Sequence, residues 1–173
     1  APLYNRACAT LQQAAGSFSL VLANSEGLVV ARDRFGNRPL FLGRYPKGVA
    51  VASEMPALST MGCTAIIEVA RGTVTAWQQG NRAAAMQLPL SPPGFCSFEH
   101  IYFHAADGII DQKQVSDRRY RLGQRLAREA PLKEGVVAAV PNSGNAFASG
   151  FADALGLEVV PAIKLRDPAA RTF

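Results

Sequence analysis

The sequence predicts an α+β region of antiparallel strands followed by a smaller α/β region built on a parallel sheet. Residues 18–90 contain short apolar runs separated by turn residues, which is typical of antiparallel strands. Residues 136–163 contain an apolar run, a helical pattern and a second apolar run, which is typical of a βαβ unit. The Pro92-Pro93 pair removes backbone donors and would interrupt a sheet, so we place the boundary there. The predicted regions are 1–93 and 94–173.

Composition limits the class of protein. The chain has 173 residues, 49% hydrophobic and 18% charged, with a net charge of +5, as expected of a globular protein with a mildly basic surface. No apolar run approaches the roughly 18 residues that span a bilayer, and no signal-peptide pattern is present. Cys8, Cys63 and Cys96 are odd in number and form no CxxC pair, so we expect free thiols in a reducing, cytoplasmic compartment.

Each element of the first region follows from an apolar run and its bounding turn residues. Residues 24–27 join two apolar runs, and Gly27 suits a positive φ, which predicts a hairpin. The predicted helices cover 7–15 and 54–61, and the predicted strands cover 18–23, 28–32, 40–43, 49–53, 65–69, 73–79 and 86–90. We expect 65–69 and 73–79 to pair with each other around the Arg71-Gly72 turn.

A charged loop lies between two of these strands, at Arg32-Asp33 and Asn37-Arg38. Its charges are compatible with binding of an acidic ligand. The alternative, which is the commoner role of such loops, is a set of internal ion pairs and Asx turns.

The second region begins with an aromatic segment. Alternation of bulky apolar and polar residues over 95–103 predicts a half-buried strand. Neighbouring strand residues point to opposite faces, so Glu99 and His100 are not expected to form one acid–base site. His104 and Asp107 are an equally weak candidate for an acid–base site.

Residues 115–130 carry the strongest helical pattern. Val115, Leu122 and Leu126, at spacings of seven and four, are predicted to form its buried face. Arg118, Arg121, Arg125 and Arg128 are predicted to lie mostly on the other, solvent-facing side. A basic RNA-binding module is disfavoured, because no aromatic platform accompanies those arginines.

Pro141-Asn142-Ser143-Gly144 lies between a predicted strand and a predicted helix. Backbone N–H groups and the positive end of the helix dipole make such a junction suited to anions, and Gly144 permits close approach of a phosphate. The alternative is an ordinary turn in which Asn142 or Ser143 caps the helix.

Several sequence motifs together resemble those of a known family. In chain order they are GSFSLVL, ARDRFGNRPLFLG, VAVASE, FCSFEHIYFHAADGIID, VVAAVPNSG and RTF. The order and the residues of these motifs resemble those of the amidophosphoribosyltransferases from about Gly16 to Phe173.

The resemblance implies a two-domain enzyme. An Ntn-hydrolase-type glutaminase domain would release ammonia from glutamine, and a type I phosphoribosyltransferase domain would use it to displace pyrophosphate from phosphoribosyl pyrophosphate in purine synthesis. Residues 1–93 would be the later part of the first domain and 94–173 the opening of the second. Because Ala1 is not a Met and no closing element follows the second strand, we expect an internal fragment. The resemblance also implies a homo-oligomer, with no nucleic-acid or membrane partner.

The resemblance implies roles for a few residues. Asn142, Ser143 and Gly144 match the family's pyrophosphate loop, with Ser143 beside a magnesium site. Lys164 and Arg171 match the flexible lid, in which Arg171 would be the catalytic arginine. In the family's branch that carries an iron–sulfur cluster, the first ligand stands at the position of Cys96; read from the residues alone, Cys96 is a small core residue.

Other family residues have no match. The N-terminal cysteine nucleophile and the acidic phosphoribosyl pyrophosphate loop are absent from the 173 residues, so this chain alone is expected to lack both activities. Asn142 stands where the family has Asp, which removes a charge that would help to hold Mg²⁺. The alternative function is a non-catalytic binding or assembly protein that keeps the scaffold.

Overall fold

A computed structural model describes residues 1–166. The chain divides into two compact units, Ala1–Ser97 and a second unit that begins at Phe98. No helix in the described part is long and apolar enough to cross a membrane.

The first unit consists of two short helices and seven strands. The helices are α1 (Leu3–Gln13) and α2 (Met55–Thr60). The strands are β1 (Ser19–Asn24), β2 (Gly27–Arg32), β3 (Phe41–Tyr45), β4 (Gly48–Ala52), β5 (Thr64–Glu68), β6 (Thr73–Gln78) and β7 (Asn81–Gln87). The predicted antiparallel organisation is therefore confirmed, although the last strand begins earlier than expected.

The strands form two antiparallel sheets, in the orders β1-β2-β6-β7 and β4-β3-β5. β5 pairs with β3, with Leu42 opposite Ile67, whereas β6 pairs with β2, with Val30 opposite Thr75. The prediction that 65–69 and 73–79 pair with each other is therefore wrong. The Arg71-Gly72 turn carries the chain from one sheet to the other.

β2 is buried on both faces, which explains how the layers stack. Val29 and Ala31 pack with α1, whereas Val30 packs with residues of the second sheet such as Leu42. Leu58 of α2 covers the far side of the second sheet, against Phe41. The first unit is therefore a helix–sheet–sheet–helix stack. Its core is closed by residues of the apolar runs that the sequence predicted as strands.

In its described residues, 98–166, the second unit contains two α-helices and four very short strands. The helices are α3 (Val115–Glu129) and α4 (Asn145–Leu155). The strands are β8 (Ile109–Ile110), β9 (Lys113–Gln114), β10 (Val136–Ala138) and β11 (Glu158–Val160). β10 and β11 are parallel and flank α4 in the chain, so the predicted βαβ arrangement is confirmed.

One prediction for this unit is wrong, and a second is right only for Val115. Residues 95–103 do not form a strand, because Glu99–Phe103 is a π-helical turn. The buried face of α3 consists of Val115, Arg119, Gly123 and Ala127, whereas Leu122 and Leu126 are 43% and 51% exposed. The face was mispredicted because periodicity weighs an arginine as polar, although its side chain can be buried when its donors find acceptors.

Glycines allow the two helices of this unit to pack closely. A Cβ on Gly123 would lie 2.1 Å from the Phe147 carbonyl oxygen, and one on Gly150 would lie 1.9 Å from the Tyr120 carbonyl oxygen. Both distances are below any real contact. The Tyr120 hydroxyl also donates to Asp153 at 2.8 Å, which joins α3 to α4.

Candidate functional site

The loop at residues 141–144 lies where the sequence predicted it, between β10 and the first residue of α4. The Gly144 N–H donates to the Val140 carbonyl at 3.0 Å, and the Asn145 N–H donates to the Asn142 carbonyl at 3.2 Å. The loop is thus a tight turn held by its own main chain. The next first-turn amides of a helix have no intrahelical acceptors, so the start of α4 keeps donors suited to an anion beyond those of Gly144 and Asn145.

Gly144 is required here by space. Its φ is an ordinary −75°, but a Cβ would lie 2.5 Å from the Val140 carbonyl oxygen. Gly144 is itself the N-cap residue of α4, and no side chain makes a capping hydrogen bond. The alternative in which Asn142 or Ser143 caps the helix is therefore not observed.

A cleft of about 310 Å³ lies next to this loop. It is lined by Ala139, Pro141, Asn145, Ser149, Val159, Val160, Pro161 and Ile163. Its walls are mostly apolar, and its polar groups come from the first turns of α4, where the Ser149 hydroxyl donates to the Asn145 carbonyl at 3.2 Å. Because β10 and β11 are parallel, the segments that follow both strands meet at this end of the sheet.

The resemblance also assigned Lys164 and Arg171 to a lid. Lys164 is exposed and follows β11 by four positions, so it belongs to the segment that leaves the same end of the sheet. Arg171 lies outside the described residues.

The charged loop of the first unit has an internal role at its buried positions. Asp33 is fully buried, and its carboxylate accepts N–H bonds from Phe18 at 2.9 Å, Phe35 at 2.7 Å and Gly36 at 2.9 Å. Two of these bonds form the Asx turn that was the alternative in the sequence analysis. A carboxylate with three main-chain donors orders the loop.

Arg32 beside it is 6% exposed and equally engaged. Its guanidinium donates to Glu68 at 2.9 Å, to the Val69 carbonyl at 2.7 Å and to the carbonyls of Gly36 and Arg38 at 2.9 and 3.0 Å. The internal interpretation of Arg32 and Asp33 is therefore the one that the structure supports.

A second buried polar cluster was missed by the sequence analysis. Glu99, His100, His104 and Arg119 are 2–5% exposed. Arg119 donates to the His100 carbonyl at 2.8 Å and to the His104 carbonyl at 2.7 Å. Nδ1 of His104 lies 3.8 Å from Oε2 of Glu99. The argument that Glu99 and His100 face opposite sides assumed a strand. In the helical turn both are buried.

Burial shifts the pKa of two groups in this cluster, His100 and Arg119. It lowers the pKa of His100, an effect to which the charge of Arg118 adds and which the charge of Asp111 partly opposes. Burial also lowers the pKa of Arg119. His100 is therefore held in its neutral form near pH 7.

The described residues do not build a metal centre. In residues 1–166 no three His, Cys, Asp or Glu side chains are grouped so as to hold an ion. Cys8, Cys63 and Cys96 are all free thiols, whereas an iron–sulfur cluster requires four ligands. Asn142 and Ser143 could offer only neutral oxygen atoms to Mg²⁺, so no chemical step is assigned to a metal here.

Comparison with known proteins first defines a class. Residues 2–60 match the model of a glutamine amidotransferase domain. This match lies within the first unit, whose stacked antiparallel sheets and helices agree with the fold class expected of a glutaminase domain.

Nearly the whole chain is related to the amidophosphoribosyltransferases. It is 34% identical over 173 residues to amidophosphoribosyltransferase 1 of Arabidopsis thaliana, covering 99% of this chain and 31% of the relative. It is 34% identical over 179 residues to the Mycobacterium bovis amidophosphoribosyltransferase, covering 98% of this chain and 34% of the relative. The resemblance inferred from the sequence motifs is confirmed.

Two solved structures are also similar to this chain. The B. subtilis glutamine phosphoribosylpyrophosphate amidotransferase, complexed with ADP and GMP, matches with a TM-score of 0.85 and 29% identity over 92% of this chain and 35% of that one. A structure described as the allosteric regulatory enzyme of purine biosynthesis matches with a TM-score of 0.89 and 30% identity over 100% of this chain and 37% of that one. The chain thus spans about a third of the length of the relatives that it matches.

Proposed function

We propose that this chain is part of an amidophosphoribosyltransferase, in which glutamine-derived ammonia displaces pyrophosphate from phosphoribosyl pyrophosphate. The observation that carries the proposal is the match of nearly all of the chain, in sequence and in fold, to enzymes of that name. Residues 1–93 would belong to the Ntn-hydrolase-type glutaminase domain. Residues 94–173 would begin the type I phosphoribosyltransferase domain.

The second unit would contribute the pyrophosphate side of the substrate site. The loop at 141–144 brings main-chain N–H groups and the α4 dipole to the end of a parallel strand, where they would stabilise the charge of departing pyrophosphate. Ser143 adds a hydroxyl donor. Lys164 and Arg171 carry positive charge in the segment after β11, and Arg171 would close over the substrate as the lid arginine.

Mg²⁺ would enter this site with the substrate. Mg²⁺ keeps several waters and commonly uses substrate phosphates as ligands, so it needs few protein groups. With Asn142 in place of Asp, the loop would contribute no carboxylate. We therefore expect binding of phosphoribosyl pyrophosphate to be weak and to strengthen in Asn142→Asp.

Titration calorimetry of the 173-residue chain with phosphoribosyl pyrophosphate and Mg²⁺ tests the proposal. We expect saturable binding that weakens severalfold in Ser143→Ala and in Arg171→Ala. Arg128→Ala is the matched control, because Arg128 is exposed near the end of α3 and its loss removes the same charge. Arg128→Ala should bind as the parent chain does.

The rival function is a non-catalytic binding or assembly protein that keeps the scaffold. It is favoured by Asn142, the one loop residue that departs from the family's motif. An absence of heat in the parent chain and in Asn142→Asp, with circular dichroism showing both folded, would support this rival. An equal loss of affinity in Arg128→Ala and Arg171→Ala would indicate that the binding depends only on the net charge of the chain.

A further inference from the structure

We propose that Glu99, His100, His104 and Arg119 form an acid-sensitive latch, which holds residues 98–108 against α3 near neutral pH and releases them as the pH falls. The inference does not depend on the proposed function. It follows from the burial, contacts and charges of this cluster within the second unit.

The first step in the argument is how this segment is held. Residues 98–108 contain one π-helical turn and no long helix or strand. Arg119 fastens the segment to α3 by donating to two of its carbonyls, those of His100 and His104. The segment also bonds to the start of α3 through the Val115 N–H, which donates to the Gly108 carbonyl at 2.9 Å. The Ser116 N–H likewise donates to the Ala106 carbonyl at 2.9 Å.

The second step is that His104 is built into the turn. Its imidazole occupies the space where Gly108 lacks a side chain, since a Cβ there would lie 2.4 Å from Cδ2 of His104. Nδ1 of His104 is 3.8 Å from the Glu99 carboxylate. The segment cannot change its path without moving this imidazole.

The third step is the charge balance. The charged groups that act on His100 come from every neighbouring element: Arg118 and Arg119 from α3, Asp111 from the β8–β9 turn, and His104 from its own segment. Glu99 supplies a further carboxylate beside His104. A proton on His100 would add positive charge next to Arg118 and Arg119, of which Arg119 is buried.

The direction of the effect follows from linkage. The pKa of His100 is lowered in the fold, chiefly by burial, so the unfolded segment binds its proton more readily than the folded one does. The stabilisation is complete above the ordinary histidine pKa of about 6.5 and is lost as the pH falls below it. For one proton taken up on opening, the opening equilibrium rises by up to about tenfold per pH unit.

Hydrogen exchange of the full chain, followed by mass spectrometry between pH 7 and pH 5, tests the latch. After correction for intrinsic exchange rates, residues 98–108 should lose protection severalfold or more on acidification. β2 of the first unit is the internal reference and should keep its protection. This pH range lies above the ordinary pKa of exposed carboxyl groups, about 4, and spans that of histidine, about 6.5.

Variants separate a specific latch from general acid sensitivity. The chain has only two histidines, so His100→Gln/His104→Gln removes every imidazole. We expect the pH dependence of 98–108 to disappear in this variant, even if its protection is lower throughout. Arg125→Gln, which breaks an exposed ion pair with Glu129, is the control and should keep the parent pH dependence.

Two results would overturn the proposal. One is equal protection of 98–108 at pH 7 and pH 5 in the parent chain. The other is an unchanged pH dependence in the double variant. Should that variant fail to fold, NMR titration of the two imidazoles in the parent chain decides: a pKa below 6.5 for at least one supports the latch, and ordinary or raised values for both refute it.

Discussion

The two units each bury a polar cluster, and the clusters differ in the partners of their charges. In the first unit, Asp33 accepts three main-chain N–H groups and Arg32 donates to Glu68 and to main-chain carbonyls. Amide groups do not titrate, and a guanidinium keeps its charge at any ordinary pH. The partners of Asp33 and Arg32 are therefore mostly independent of pH.

In the second unit the buried arginine also donates to carbonyls, but its neighbours are imidazoles. Arg119 holds the carbonyls of His100 and His104, and His104 approaches Glu99. Histidine changes charge between pH 5 and 8, so this cluster can gain a proton without leaving ordinary conditions. The comparison teaches that burial alone does not decide pH sensitivity. The chemistry of the partners does.

The largest effect should come from removing the carboxylate of the first cluster. Asp33→Ala leaves three partly buried amides without their acceptor, and we expect a loss of about 4 kcal/mol of stability. Chemical denaturation followed by the fluorescence of Trp77, the chain's single tryptophan and a core residue of the same unit, measures it. Asp107→Ala removes an exposed carboxylate and should change little. Equal stability of the two variants would show that Asp33 does not order its loop.

The next effect concerns packing in the second unit. Gly150→Ala places a methyl group against the Tyr120 carbonyl and forces α3 and α4 apart, at a cost of about 3 kcal/mol. Gly48→Ala is the matched control, because its Cβ would meet nothing within 4 Å. Thermal unfolding by circular dichroism compares the two. A Gly150→Ala variant as stable as Gly48→Ala would contradict the close helix contact.

A smaller loss is expected from Arg119→Lys. Lysine keeps the charge but lacks the planar fork that reaches two carbonyls, so about 2 kcal/mol should be lost. Hydrogen exchange should place the loss in residues 98–108. If exchange rose equally in β2, Arg119 would not act locally as the second cluster requires.

The smallest effect is expected at the exposed pair of Arg125 and Glu129 on α3. Their side chains are 67% and 57% exposed, so solvent screens the 2.7 Å contact. Arg125→Ala should therefore cost less than about 0.5 kcal/mol. Denaturation at low and high salt would check this, and a larger loss would indicate that Arg125 has a partner beyond Glu129.

The sequence predicted most of the local structure of the first unit. Short apolar runs located its strands, and the 24–27 turn was predicted from its turn residues. Gly27 there has a φ of +139°. The turn at 141–144 was likewise predicted from its position between a strand and a helix. These features depend on neighbours in the chain, which a sequence displays directly.

The aromatic segment was mispredicted for the opposite reason. The polar residues Glu99 and His100 gave 95–103 the alternation of a half-buried strand, yet they are buried with Arg119, about twenty positions later. Likewise Leu122 and Leu126 are exposed because the glycine contact of Gly123 turns another face of α3 toward α4. No local sequence pattern indicates a contact with residues so far away in the chain.

The sequence by itself determined the turns, the positions of most strands, the βαβ unit and the relationship to amidophosphoribosyltransferases. Only the tertiary structure decided that β5 joins β3 while β6 joins β2, and that two histidines share a buried cluster with Arg119. The physical reason is the range of the interactions. Backbone conformation and apolar periodicity depend on residues that are close together in the chain. Strand partners and the environment of buried charges depend on groups that meet only after the chain has folded.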